Sequence, residues 1–295
     1  MSSRSHPTAF LAASATIILW AGAFIAIDRA IAQVEPLPLA AVRFAIAGAA
    51  ALLWLVCARR VRLSRPDVIR TVACGAVGIA FYNVLLAAGQ RGIDPGSASF
   101  IVSTQPFFTA LVARFLFRER WPAALPAGMF IAAAGVALIT MPHSVSANAD
   151  CVLLVLAAAI CSGSYFAFQR PLVARHGPAT AGAASMLTGG ILLLPWLPEG
   201  LSAIHGGEVL VAVVYLALGA GIVAYVCWMC ALDGLGATRA ANLLFLMAPL
   251  TTLMSAAIDR SAPPLTTIAG GALALFGVAI GAREKNTSSG GKPCR

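Results

Sequence analysis

Ser99 stands seven residues before Pro106, and Asn242 stands seven residues before Pro249. Seven residues are close to two helical turns, so on a helix each pair shares a face. A proline cannot donate to the carbonyl four residues before it, which leaves Val102 O and Phe245 O short of a partner and bends the helix. Two bent helices with spare carbonyls would suit a substrate ammonium. Equally, a neighbouring helix or Thr104 could satisfy each kink. Pro106 and Pro249 are the candidate hinges.

An aromatic and amide set recurs around these two stretches. Trp20 and Phe24 are four residues apart, as are Tyr165 and Gln169, so each pair shares a helix face. Tyr82 and Asn83 are matched later in the chain by Tyr225, with Trp228 one turn on. Together with Ser99, Gln105, Asn242 and Phe245 these are the candidate substrate-binding residues. For the aromatics the competing role is packing or anchorage at a membrane interface. The amides would be penalised by lipid and are expected to point inward.

Charge narrows the ligand. Arg43 is the basic residue placed clearly inside an apolar stretch, where it could hold a carboxylate or lock its helix to Asp28 or Glu35. The favoured expectation is the lock. Asp28, Asp233 and Asp259 fall close to the ends of apolar stretches. A lining with few ions and many aromatics suits an uncharged or zwitterionic small molecule better than a phosphorylated sugar, nucleotide or organic cation.

Other chemistries lack their residues. No G-x-x-x-x-G-K-[ST] occurs, so no ATP hydrolysis is expected. The four histidines sit in loops or at the ends of stretches, which argues against a metal centre or an intramembrane Ser-His protease. Cys227 and Cys230 form a C-x-x-C without further ligands, so packing is the expected role. No catalytic residue, metal or cofactor is expected. Without a central carboxylate, facilitated diffusion and ion coupling both remain open.

These side chains must be positioned by elements that suit a bilayer. Of 295 residues 60% are hydrophobic and 11% charged, against about 25% charged in ordinary soluble domains. The apolar residues fall into ten blocks, near 8–27, 36–58, 68–90, 95–117, 122–141, 150–169, 179–197, 208–231, 237–257 and 264–282. Each approaches the roughly 20 residues that a helix needs to span about 30 Å of hydrocarbon. The expected fold is therefore all-α, a polytopic membrane protein of ten transmembrane helices. Sixteen of the 20 Lys and Arg lie on one side if the N-terminus is cytoplasmic, which places both termini in the cytoplasm. The net charge of +9 is then threading information, and no nucleic-acid partner is expected.

The chain also aligns with itself. Gly78-Ile79-Ala80-Phe81-Tyr82 lies on Gly221-Ile222-Val223-Ala224-Tyr225 at an offset of 143, which also carries Pro106 onto Pro249 and Thr109 onto Thr252. An offset of 141 sets Gly22 on Gly163, Phe24 on Tyr165, Arg29 on Arg170 and Gly48 on Gly189. After a one-residue deletion, Gly128 meets Gly270 and Gly135 meets Gly277. Five helices are an odd number, so the second copy must enter the bilayer from the opposite face. Two inverted five-helix repeats result, 1–141 and 142–282, with 283–295 a cytoplasmic tail. Inverted repeats are a recurring construction of secondary transporters. The paired glycines suit close helix packing or a homodimer surface.

One family combines these features. Gln105-Pro106-Phe107-Phe108-Thr109-Ala110-Leu111, then Phe117-Arg118-Glu119-Arg120-Trp121, Gly128 and Gly135-Val136 resemble the fourth-to-fifth helix signature of EamA-type members of the drug/metabolite transporter superfamily. Leu19-Trp20-Ala21-Gly22-Ala23-Phe24 is similar to the family's tryptophan-glycine segment, and Arg43-Phe44 to its second-helix arginine. The pattern departs at Ala262, near the place of Glu119 in the second half, and at Ala21-Gly22. The resemblance implies ten helices around a central cavity and metabolite export across the bacterial inner membrane, most similar to exporters of aromatic and neutral amino acids. Amphipathic drugs or other small metabolites are the alternative cargo.

Overall fold

A computed structural model describes residues 6–57, 63–118, 124–140, 149–235 and 243–281. Asn242 and the tail 283–295 lie outside the described residues. Among the described residues the chain is helical, without strands. In order, the apolar helices are α1 (Pro7–Ile31), α2 (Pro36–Cys57), α3 (Arg65–Gly89), α4 (Pro95–Leu116), α5 (Leu125–Leu138), α6 (Ala149–His176), α7 (Pro178–Ala203), α8 (Gly207–Ala231), α9 (Leu244–Asp259) and α10 (Leu265–Ile280). Seven of them are long and apolar enough to cross a membrane, and α5, α9 and α10 are shorter. Each of the ten apolar blocks overlaps one of these helices, and several helices run past the block's edges, α6 to His176 and α7 to Ala203.

Local chemistry sets where they begin. Ser64 caps α3 by accepting from Asp67 N, with Pro66 in the first turn, where its missing N–H costs nothing. Asp94 caps α4 in the same way through Ser97 N, ahead of Pro95. The outer surface carries Leu53, Phe115, Phe130, Leu265 and Phe276, all exposed. A soluble protein would not present so apolar a face, whereas lipid tails accept it.

Inside, α1 packs on α8 and α9, and α6 packs on α3 and α4. The helix α2 lies on α7, α4 meets α9, and α5 lies along α10. The α5–α10 seam is backbone against backbone: a Cβ on Gly135 would fall 2.6 Å from Gly270 O, and one on Gly277 would fall 2.6 Å from Gly128 O. The glycines are therefore engaged within one chain, which answers the choice between tight packing and a homodimer surface at this face in favour of packing.

Two pairs of helices are irregular at matched places. Residues Gly75–Phe81 of α3 and Tyr215–Val223 of α8 form π-helix. A turn at Ser103 and Thr104 divides α4 into Pro95–Val102 and Gln105–Phe117, and the 3-10 turn Leu244–Leu246 opens α9 just before Met247 and Pro249. Arg118 and Arg260, the non-glycine residues with positive φ among the described residues, close Gln105–Phe117 and Met247–Asp259. Arg118 and Arg260 are 142 residues apart, and the π segments and helix breaks recur at offsets of about 140 to 143.

Candidate functional site

The candidate residues separate into four groups around the irregular segments. In the first, Trp20 of α1 donates its indole N–H to Ala220 O in the π segment of α8 at 3.0 Å and lies against Trp228, ring centroids 5.6 Å apart. Thr16 Oγ1 donates to Ala224 O, and Tyr215 OH donates back to Leu19 O. A π segment changes which carbonyls its own helix satisfies, and here α1 supplies donors to that region. Phe24, one turn on from Trp20, is buried in the central core with Ile27, Leu39 and Ile101.

The second group joins α6 to α8. Gln169 Nε2 donates to Tyr165 OH at 2.6 Å, and Tyr165 OH lies 2.9 Å from Tyr225 OH. The rings lean on glycine backbone: a Cβ on Gly78 would fall 2.3 Å from Tyr165 Cγ, and one on Gly182 would fall 2.3 Å from Tyr225 Cε1. The two hydroxyls and Gln169 Nε2 thus bond to one another, as buried polar groups require.

Arg43, Tyr82 and Asn83 make the third group. Arg43 Nη1 donates to Asn83 Oδ1 at 2.8 Å and Arg43 Nε donates to Leu216 O at 3.2 Å, while Asn83 Nδ2 donates to Ile79 O at 2.8 Å. The guanidinium also lies over the Phe44 ring. The expected lock to Asp28 or Glu35 is not what forms. Glu35 is held by Arg91 at 2.7 Å at the rim of the bundle, and the guanidinium of Arg43 reaches across to α3 and α8. The reason is geometric: Arg43 lies about two turns below the helix start, so its side chain faces the neighbouring helices, well below the loop carrying Glu35.

The fourth group surrounds the break in α4. Ser103 Oγ donates to Ser99 O at 2.8 Å and Thr104 Oγ1 donates to Ile101 O at 2.7 Å, so hydroxyls of the turn serve carbonyls beside Pro106. Ser99 is fully buried and donates to Gly96 O within its own helix. Gln105 Oε1 accepts from Ser162 Oγ of α6 at 2.5 Å, and Thr109 Oγ1 donates to Gly163 O. Phe245 packs on the cluster of Phe107, Leu125 and Val278, and Pro249 lies in the first turn of the helix that follows. The structure therefore brings Tyr165, Gln169 and Tyr225 together, joins Trp20 to Trp228 and Gln105 to α6, and sets Ser99, Phe24 and Phe245 into packing.

The two ends of the bundle are tied differently. At one end Arg29 pairs with Asp259, and Arg91 with Glu35, all largely exposed. At the other, Asp67 is buried and accepts from Ser64 Oγ at 2.7 Å and Arg175 Nη1 at 2.8 Å, with His176 Nε2 at 3.1 Å. That network binds the start of α3 to the end of α6.

Comparison with known proteins decides what this arrangement belongs to. The profile of the EamA-like transporter family matches the chain twice, over residues 7–141 and 150–282. The chain belongs to this family. An uncharacterized transporter of Archaeoglobus fulgidus is 30% identical to this EamA-like chain over 92% of it and 97% of the relative. A protein of Streptantibioticus cattleyicolor named a probable terminal-alkyne amino-acid exporter is 29% identical, over 90% of each. A crystal structure at 24% identity shares the fold, with a TM-score of 0.64 over 94% of this chain and 98% of the other. The EamA-like chain is thus a multi-pass membrane transporter.

Three features of this family member escape the residue patterns. The Asp67 network had a signal, because Ser64-Arg65-Pro66-Asp67 reads as a helix cap with an acidic third position. The bond from Arg43 to Asn83 had none, since 40 residues separate them. The π segments carry no residue signature beyond the Gly-Ile pair that each contains, Gly78-Ile79 and Gly221-Ile222.

Proposed function

We propose that this protein is a secondary exporter of small neutral or zwitterionic metabolites, amino acids foremost, working by alternating access across the bacterial inner membrane. All ten helices cross the bilayer as two inverted five-helix units, with both termini cytoplasmic. The observation that carries the reading is the reciprocal packing: α1 of the first unit lies on α8 and α9 of the second, and α6 of the second lies on α3 and α4 of the first. Two equivalent halves interlocked in this way can exchange conformations and expose a central site to each side in turn. The recurrent π segments and helix breaks are the places where such bending is cheapest, because side chains already serve backbone carbonyls there.

In this orientation the Asp67 network lies on the cytoplasmic side, and the Arg29–Asp259 and Arg91–Glu35 pairs lie outside. The central site is bounded by Trp20, Tyr82, Asn83, Gln105, Tyr165, Gln169, Tyr225 and Trp228, with Ser99, Phe24 and Phe245 behind them, and the sequence adds Asn242, which lies outside the described residues. Pro106 and Pro249 act as hinges. The cargo assignment is supported by a polar inventory dominated by amides, hydroxyls and aromatic rings, and by the amino-acid exporter among the relatives. The test is efflux from liposomes holding the purified protein and radiolabelled solutes. Neutral amino acids are expected to leave faster than charged amino acids, sugars or organic cations, and a preference for sugars or cations overturns the assignment. Asn242→Ala and Trp20→Ala should impair flux at normal expression, and full activity in both removes them from the site.

A further inference from the structure

Arg43 has an unusual set of neighbours for a cation at membrane depth. No carboxylate pairs with it among the described residues. Two of its nitrogens are occupied, Nε by Leu216 O and Nη1 by Asn83 Oδ1, and Nη2 has no partner among the described residues. It is not a sealed orphan either, since the one buried side-chain atom without a partner among the described residues is Gln90 Oε1. Arg43 and Asn83 line a recess whose remaining walls include Ile27, Leu39, Ala40 and Leu216. Its volume is about 10 Å³, the room that a single water needs. One guanidinium edge and one amide therefore face a small space with apolar walls.

The aligned positions of the second half lack this pair. At the offset that sets Gly48 on Gly189, Arg43 falls on Ala184, and at the offset that sets Tyr82 on Tyr225, Asn83 falls on Val226. The second unit builds the same five helices with two small or apolar residues there. A cation retained at a cost in desolvation, in one unit only, needs a use other than packing.

We propose that the recess is the carboxylate subsite of the carrier, in which Arg43 binds the carboxylate of an α-amino acid while Asn83 and Leu216 O hold the guanidinium in place. This rests on the reading of the chain as an amino-acid carrier. Separation of α2 from α3 and α8 widens the recess from the size of a water to that of a carboxylate, and Nη2 with Nη1 then presents a fork to its two oxygens. The apolar walls receive the first carbons of the ligand and exclude competing water.

The experiment compares a panel of neutral L-amino acids with their amides, which keep the ammonium and side chain but lack the carboxylate. Transport is measured in proteoliposomes holding wild type, Arg43→Gln, Arg43→Lys or Asn83→Asp. Wild type should prefer acid to amide by about tenfold or more, the scale of one charge-assisted contact. Arg43→Gln should remove that preference by lowering flux of the acids while moving the amides less than about twofold, and Arg43→Lys should retain part of it. Asn83→Asp keeps the side-chain shape and gives the guanidinium a partner of its own, so the protein should fold normally yet lose the preference for acids. A parallel fall of acid and amide in Arg43→Gln, or an undiminished preference in Asn83→Asp, overturns the proposal, and Asn83→Asp decides where Arg43→Gln fails to fold. A wild type that moves amino acids and amides alike overturns the subsite alone. One that moves neither overturns the carrier reading with it.

Discussion

The tyrosine group and the arginine recess occupy related places in the two halves, and they have opposite characters. Tyr165 and Tyr225 stand where the first half has Phe24 and Tyr82, at the offsets of 141 and 143. In the second half the two hydroxyls and Gln169 satisfy one another. In the first half Phe24 has no hydroxyl to offer, and the polar group beside Tyr82 is Asn83, which turns to Arg43 and leaves a guanidinium nitrogen facing a recess. Duplication thus preserved the framework of helices and breaks, while the side chains inserted between them diverged. One set closes upon itself and the other borders a recess. On the proposed reading, the symmetric part of the molecule moves and the asymmetric part selects.

The comparison breaks most readily at Gly78. A methyl group there meets the Cβ and ring of Tyr165 rather than the tip of a flexible chain, so Gly78→Ala should destabilise by about 3 kcal/mol, toward the upper end for overpacking. The check is the thermal midpoint in detergent, with Tyr165→Ala in the Gly78→Ala background restoring part of the loss. Next in size is an inequality in the first half. Asn83→Leu leaves Arg43 Nη1 without its acceptor and should cost about 2 kcal/mol, whereas Arg43→Met removes the charge itself and should cost less than about 1 kcal/mol. Single losses that simply add in the double mutant would show that the two side chains do not depend on each other.

These inequalities mark where sequence reasoning reaches and where it stops. Helix positions were legible because hydrophobic runs bounded by Asp94-Pro95 or Gly177-Pro178 depend on local chemistry alone. The α5–α10 seam was legible from four glycines at matched spacing, since close backbone approach leaves few alternatives to glycine. Partner choice was not. Arg43 lies near Asp28 and Glu35 in the chain, and only the arrangement of α2 against α3 and α8 brings Asn83 and Leu216 O to it. The same holds for Tyr165 and Tyr225: each was recognisable as a polar aromatic at membrane depth, but the bond between them depends on where α6 meets α8. The π segments left no trace, because a shift from four to five residues per hydrogen bond alters geometry without demanding a particular side chain.

A smaller effect sharpens the second half. Tyr225→Phe removes the hydroxyl pair but leaves Tyr165 OH with Gln169, so the loss should be about 1 kcal/mol, the usual scale of one neutral hydrogen bond. Tyr165→Phe strands Gln169 Nε2 as well and should cost more than Tyr225→Phe. The ordering, read from thermal midpoints of the two variants, checks that Tyr165 is the central member. The reverse order would place Gln169 with Tyr225.

The smallest effect lies at the rim, outside both groups. The hydrogen bond from Arg91 holds the Glu35 carboxyl below its ordinary range. A carboxylate whose folded value is depressed contributes its stability above the unfolded value, near 4.3 for glutamate, and loses it as pH falls through the folded value. Both side chains are largely exposed, so salt screens the pair and its effect on the midpoint should be slight. Between about pH 6 and pH 3 the midpoint of wild type should fall slightly further than that of Glu35→Gln, and 1 M salt should erase the difference. Because this pair ties the loop before α2 to the end of α3, the elements that carry Arg43 and Asn83, Glu35→Gln should leave the acid-over-amide preference intact. A lost preference would mean that the recess is held in shape from the rim and not by the bond between Arg43 and Asn83.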